Sequence, residues 1–255
     1  MASRKRRQAP PEAPTPTADP EVVERTLAEI RRRLTQAGRL EVAAEIHKSI
    51  GDDVDCYGVK PAEVGNIGME AIRRLRSGGL VLSMAIAAEL FKSRKLEEGL
   101  IGAQIVGALA RLIGGGDFDR FDDWVSLLDN AQTSDALALN CISKSVAAKT
   151  SLAMKLVEWT KSPNPWRRRA AVMSLSPMVR EGRFMTDALT VAEQVMADSH
   201  EEVQRGVGMM LLDASRLQAP RVVEFLVSWK DKSPRLVLQT AAAKLSPEDR
   251  KAVLD

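Results

Sequence analysis

Aromatic residues make up only 4% of this 255-residue chain, with a single tyrosine, and there are just two histidines and two cysteines. His47 and His200 have no motif around them, so no Ser/His/Asp or Cys/His nucleophile arrangement is suggested. Cys56 and Cys141 share no ligand spacing with either histidine, and zinc is not expected. So few cysteines without a leader segment suggest a reduced, intracellular protein, with both thiols free and buried among apolar neighbours. The one glycine run, Gly114-Gly115-Gly116, lacks the Lys-Ser/Thr of a phosphate-cradling loop and is read as a helix connector. Neither a cofactor nor a metal is expected. The longest apolar stretch, 79–90, is interrupted by Glu89 and is too short to span a bilayer, so a soluble protein without membrane contact is expected. Period-two alternation is nearly absent, which argues against a sheet.

Helical periodicity fills the space these absences leave. Val22, Val23, Leu27, Ile30 and Leu34 mark one face of a first helix, and a second is expected over 40–50. A connector, 51–61, holds Tyr57-Gly58-Val59. Helices are then expected near 62–77, 79–93, 95–113, 117–129, 134–148, 150–162, 165–181, 184–198, 201–216, 219–230 and 234–244. A last helix follows Ser246-Pro247, with Ser246 as cap. Arg169–Leu175 is echoed thirty-six positions later by Arg205–Leu211, and more weakly over 237–245. Small residues in these echoes allow helices to stack closely. The expected fold is all-α, an α-solenoid with a concave groove over residues 21–255, monomeric. It follows a basic, proline-rich tail over 1–20 that is expected to be disordered.

Formal net charge is +3, and the tail supplies most of it: Arg4, Lys5, Arg6 and Arg7 outweigh Glu12 and Asp19. Any anion-binding surface on the body must therefore be a local patch. The stretch Trp159–Leu175, WTKSPNPWRRRAAVMSL, is the clearest candidate. Asn164 can cap a helix that begins at Pro165, which places Trp166, Arg167, Arg168 and Arg169 in its first turn. Three arginines at the positive end of a helix dipole repel one another unless an anion lies close by, and a phosphate backbone would serve. A solvated basic turn is an equal alternative. Arg168, Arg169, Arg205 and Trp166 are the candidate DNA contacts, with further basic residues over 180–235. Among carboxylates, Asp135 opens an apolar helical run and reads first as a cap or dipole partner, as do Asp122 and Asp123.

The motif Trp159-x-x-Ser162-x-Asn164-x-Trp166-x-Arg168-Arg169-Ala170-Ala171 resembles the DNA alkylation repair protein family, the AlkD-like DNA glycosylases built of HEAT-like repeats. Supporting elements are Tyr57-Gly58-Val59 with Pro61, Asn130–Asp135, and Val203–Gly208. Residues 233–245 fit the family's closing repeat, and the similarity extends over roughly 22–254. The resemblance implies a positively charged groove that grips duplex DNA through its phosphate backbone. It also implies excision of cationic N3- or N7-alkylated purines without swinging the base into a pocket. Carried over by motif, the aspartate that stabilises the developing oxocarbenium ion and positions water is Asp135, and the arginine that holds the backbone is Arg169. Two tryptophans that line the family's cleft are replaced by Ala131 and Met209, and an arginine expected near Gly65 is missing. Three readings follow: an alkylpurine glycosylase, a catalytically inactive DNA-binding relative that recognises damage or shape, and a protein-interaction scaffold. A cytoplasmic protein is expected, nucleoid-associated if it binds DNA.

Overall fold

The computed structural model describes residues 18–255, so the tail expected over 1–20 lies outside the described residues up to position 17. All regular structure among the described residues is helical. Local chemistry explains most helix starts. The Asp19 carboxylate accepts the Glu21 N–H and Pro20 takes the first position, so α1 (Pro20–Ala37) begins one residue before the expected start. The second and third helices are α2 (Leu40–Ile50) and α3 (Pro61–Leu75). Between them, Gly58 adopts φ +74°, which lets the Tyr57 and Val59 N–H groups donate to the same Glu97 carboxylate at 2.9 and 3.0 Å. α4 (Gly79–Lys92) and α5 (Leu96–Gly107) follow. Tyr57 Oη also donates to Glu98, which Arg31 of α1 grips through two nitrogens. The Tyr57-Gly58-Val59 element thus ties α1 and the connector to the first turn of α5.

Several expected helices are broken for identifiable reasons. The stretch 95–113 ends as α-helix at Gly107, which packs against Asn140, and continues only as a short 3₁₀ turn at Ala110–Leu112. α6 spans Phe118–Val125. α7 (Ala131–Leu137) starts earlier than expected because Asn130 caps it, accepting the Thr133 N–H at 2.9 Å. Asp135 therefore lies in the second turn, not the first, and is no cap. The chain then passes through a wide, π-type turn (Ala138–Ile142) into α8 (Ser143–Ala148), followed by α9 (Ala153–Trp159). The expected helix 165–181 divides into α10 (Pro165–Met173) and α11 (Ser176–Arg180), since Pro177 has no N–H to continue the ladder. α12 is Met185–Glu193. α13 (Glu201–Trp229) merges two expected helices across a kink at Gln218, two residues before Pro220. α14 (Arg235–Ala241) and α15 (Pro247–Leu254) close the chain, with Ser246 capping α15 as expected.

The helices stack in register. α1 packs on α3, α3 on α5, α5 on α7, α7 on α10, α10 on α13 and α13 on α14, which forms one continuous row. The connecting helices pack behind it, the layout of an α-solenoid. Two apolar clusters fill the space between layers. One gathers Leu34, Ile67, Leu90 and Ile105 at the N-terminal end; the other runs from Met84 to Val253. They meet on α4 and α5, which contribute opposite faces to each. Close stacking needs the small residues: a Cβ on Gly208 would lie 3.1 Å from the Val237 carbonyl oxygen of α14. No helix among the described residues is long and apolar enough to cross a membrane.

Candidate nucleic-acid site

Three consecutive members of the row, α7, α10 and α13, bring the motif residues together. Asp135 projects from α7, Arg169 from α10, and Glu202, Arg205 and Met209 from α13. The side chain of Arg169 is buried, with 4% exposure, while that of Asp135 keeps 21% and that of Glu202 33%. Arg169 holds Asp135 in a two-pronged pair, Nε to Oδ1 at 2.8 Å and Nη2 to Oδ2 at 2.7 Å. Its Nη1 donates to the Glu202 carbonyl and to the Glu202 carboxylate at 3.3 Å, and Nη2 lies 3.8 Å from Met209 Sδ. Each guanidinium nitrogen is engaged inside the protein. Gly206 makes room for this side chain, since a Cβ there would sit 3.2 Å from Arg169 Cγ.

The other arginines of the triplet are also paired. Arg167 bonds Asp122 and Ser126 and lies 5.0 Å over the Trp159 ring. Arg168 grips Asp198 at 2.6 and 2.8 Å and the Ser162 carbonyl at 2.9 Å. Burial pushes the Asp198 carboxyl up, but hydrogen bonds from Arg168 and the His200 N–H, with the Arg168 charge, hold it below its ordinary value. The anion that the clustered arginines require is thus supplied by Asp122, Asp198, Asp135 and Glu202. Within the protein these carboxylates meet the charge for which a phosphate backbone was the expected partner, and Arg169, expected to hold that backbone, already has a protein partner on each guanidinium nitrogen.

The other motif residues also make contacts within the protein. Trp159 is buried against Phe118, and Asn164 caps Trp166 at 2.9 Å while its amide donates to the Leu128 carbonyl at 3.1 Å. Ala170 and Ala171 are fully buried. The Trp166 carbonyl accepts the Ser134 hydroxyl at 2.9 Å, and its ring meets His200 edge-on with centroids 5.3 Å apart. Arg205 is exposed and pairs with Glu201 and Glu202.

Around Asp135 the cluster therefore contains three carboxylates, Asp135, Glu201 and Glu202, against two guanidinium groups, Arg169 and Arg205. It carries one net negative charge and is suited to a cation. The wall positions are small or flexible: Ala131 is the first residue of α7, and Met209 is 37% exposed beside Arg169. Glu202 was not anticipated; the only sequence signal is its place in the first turn of α13, three residues before Arg205. Of the two thiols, Cys141 is buried as expected, whereas Cys56 is half-buried with its Sγ 3.7 Å from His47 Nε2. No group of three or more potential metal ligands occurs among the described residues.

Comparison with known proteins bears on the fold and the family. No curated protein sequence matches the chain. A solved structure described as a predicted DNA alkylation repair enzyme from Enterococcus faecalis superimposes with a TM-score of 0.71. The likeness covers 82% of this chain and 97% of that one at 13% identity, and it carries the fold. The family model described as DNA alkylation repair enzyme matches residues 30–245, which include every helix of the α7–α10–α13 site. The chain belongs to the DNA alkylation repair enzyme family.

Proposed function

We propose that this protein binds duplex DNA and that its Asp135 site accepts a nucleotide made cationic by N-alkylation, stabilising positive charge there. The observation that carries this reading is the geometry of one carboxylate. Asp135 is gripped from behind by a buried guanidinium, yet its side chain remains 21% exposed, in a cluster with one more carboxylate than guanidinium. Such a group is held in place before substrate arrives, so little reorganisation is needed when positive charge develops beside it. Arg169 acts on this reading as a positioning residue and not as a phosphate ligand.

The chemistry that fits is hydrolysis of the N-glycosidic bond of a cationic N3- or N7-alkylated purine. As the bond from C1′ to the base breaks, its electron pair neutralises the leaving base and positive charge moves to the sugar. Asp135 faces that charge, and a water attacks C1′ and gives up a proton to solvent or to the carboxylate. One preorganised group of this kind contributes about 3–4 kcal/mol to the transition state. A second reading, recognition of damage without release, is favoured by the wall: Ala131 and Met209 offer no flat aromatic face to hold the sugar or cation.

The test uses a duplex carrying one 7-methylguanine. Base release, read as alkali-labile strand breaks, is expected from the wild type and should fall about 10²–10³-fold in Asp135→Asn. Preferential binding of the damaged duplex without release selects the second reading. Equal binding of damaged and undamaged duplex, with no release, overturns both.

A further inference from the structure

With the triplet arginines held by internal carboxylates, other basic side chains are left to meet a DNA backbone, and α13, with α11 packed on it, carries a set of them. Asp213 lies on α13, one turn beyond Met209 or about 6 Å of helix rise. Its carboxylate is nearly buried, with 7% exposure, and is shared by two arginines. Arg180, the last residue of α11, reaches Asp213 Oδ2 at 2.6 Å, and Arg216 reaches Oδ1 at 3.6 Å. Both keep half of their side chains exposed, 50% and 53%. Arg183, in the loop after α11, is also half exposed and pairs with Glu181 at 3.3 Å. That loop is fastened to the kink of α13 by a bond from Gln218 to the Gly182 carbonyl.

This arrangement inverts the Asp135 site. There one buried guanidinium serves two carboxylates and leaves negative charge at the surface. Here one buried carboxylate orients two guanidinium groups and leaves positive charge at the surface, with N–H groups available on both arginines. Guanidinium donors in a fixed fork match the oxygens of a phosphate. We propose that Arg180 and Arg216, set by Asp213 and joined by Arg183, form the site that binds backbone phosphates of duplex DNA next to the nucleotide at Asp135. This rests on the reading of that site as a DNA site.

The experiment measures binding of the full chain to a 25-base-pair duplex as a function of salt, for wild type, Arg180→Gln/Arg216→Gln, Arg183→Gln, and Lys48→Gln as an exposed control on α2. Each phosphate contact contributes close to one unit to the slope of log affinity against log salt. The double variant should lower that slope by about two and Arg183→Gln by about one, with Lys48→Gln unchanged. Circular dichroism and melting of each variant show whether it is folded; at half-exposed positions the fold is expected to persist. An unchanged slope in a folded double variant whose wild type binds DNA overturns this proposal alone. Failure of the wild type to bind any duplex overturns this proposal and the function proposed above together.

Discussion

Replacing Arg169 with methionine separates a positioning arginine from a phosphate-binding one. The substitution keeps much of the aliphatic packing and removes every donor that holds Asp135 and the Glu202 carbonyl and carboxylate. Losing one partner of a buried ion pair costs about 3–5 kcal/mol, because the remaining charge stays unpaired. Here the abandoned carboxylates are 21% and 33% exposed, so water recovers part of that energy, and a loss of about 2–3 kcal/mol is expected. For a chain of this size that lowers the melting temperature by about 4–12 °C. Glu202→Gln, which weakens the 3.3 Å contact to Arg169 and the 3.1 Å pair with Arg205 at a more exposed group, should cost less than about 1 kcal/mol. The assay is thermal unfolding by circular dichroism, extended to the double variant Arg169→Met/Asp135→Asn. Coupling between the two positions should be about 1–3 kcal/mol. A surface phosphate ligand behaves in the opposite way: its loss leaves the melting temperature unchanged and lowers the salt slope of DNA binding by about one. That pair of results would refute the interior role argued for Arg169.

Three further outcomes follow from particular contacts. Met209→Trp places a flat face beside Arg169 at a position that is 37% exposed, and should tighten binding to a cationic lesion by about 0.5–1 kcal/mol, read by competition against undamaged duplex. The Arg168–Asp198 pair makes stability pH-dependent. The folded-state pKa of Asp198 lies below the ordinary 3.8, so its contribution is complete above that pH and is lost as the pH falls through the lowered value. Melting curves of wild type and Asp198→Asn should therefore converge on the acid side of pH 3.8 and separate above it. Gly58→Ala should destabilise by more than about 1 kcal/mol, because φ is +74° and a Cβ would meet the Arg39 carbonyl; Gly65→Ala, inside α3 with open space around it, should stabilise by about 0.4–1 kcal/mol; both are read by thermal unfolding.

What could be read from sequence was what is encoded locally. Asn164-Pro165 and Ser246-Pro247 announce their helices because cap and first residue are adjacent in the chain. The thirty-six-residue echo from Arg169 to Arg205 marks α10 and α13 as neighbours in the row, and they do pack together. Sequence misleads where two local signals compete or where the partner is distant. Asp135 reads as a first-turn acid because it opens an apolar run, whereas the actual cap, Asn130, lies five residues earlier. The arginine triplet reads as unpaired because its carboxylates are 45, 30 and 34 positions away, on α6, in the loop before α13 and on α7. Glu97 and Glu98 have no distinguishing neighbours in sequence, yet both are buried and hold the Tyr57-Gly58-Val59 element in place. A motif that resembles a binding signature is here largely a set of struts, and the residues left exposed among them define the candidate surface.

The central claim, that the carboxylates around Asp135 select positive charge, is tested most directly by comparing two duplexes that differ in charge alone. One carries 7-methylguanine, which is cationic, and the other its neutral isostere 7-methyl-7-deazaguanine. Affinities are measured under conditions too brief for base release, for wild type and Asp135→Asn. The account predicts that the wild type favours the cationic duplex by about fivefold or more, the equivalent of one charge-assisted contact of about 1 kcal/mol, and that Asp135→Asn removes the preference. Equal affinity of the wild type for the two duplexes, or a preference that survives Asp135→Asn, would contradict it.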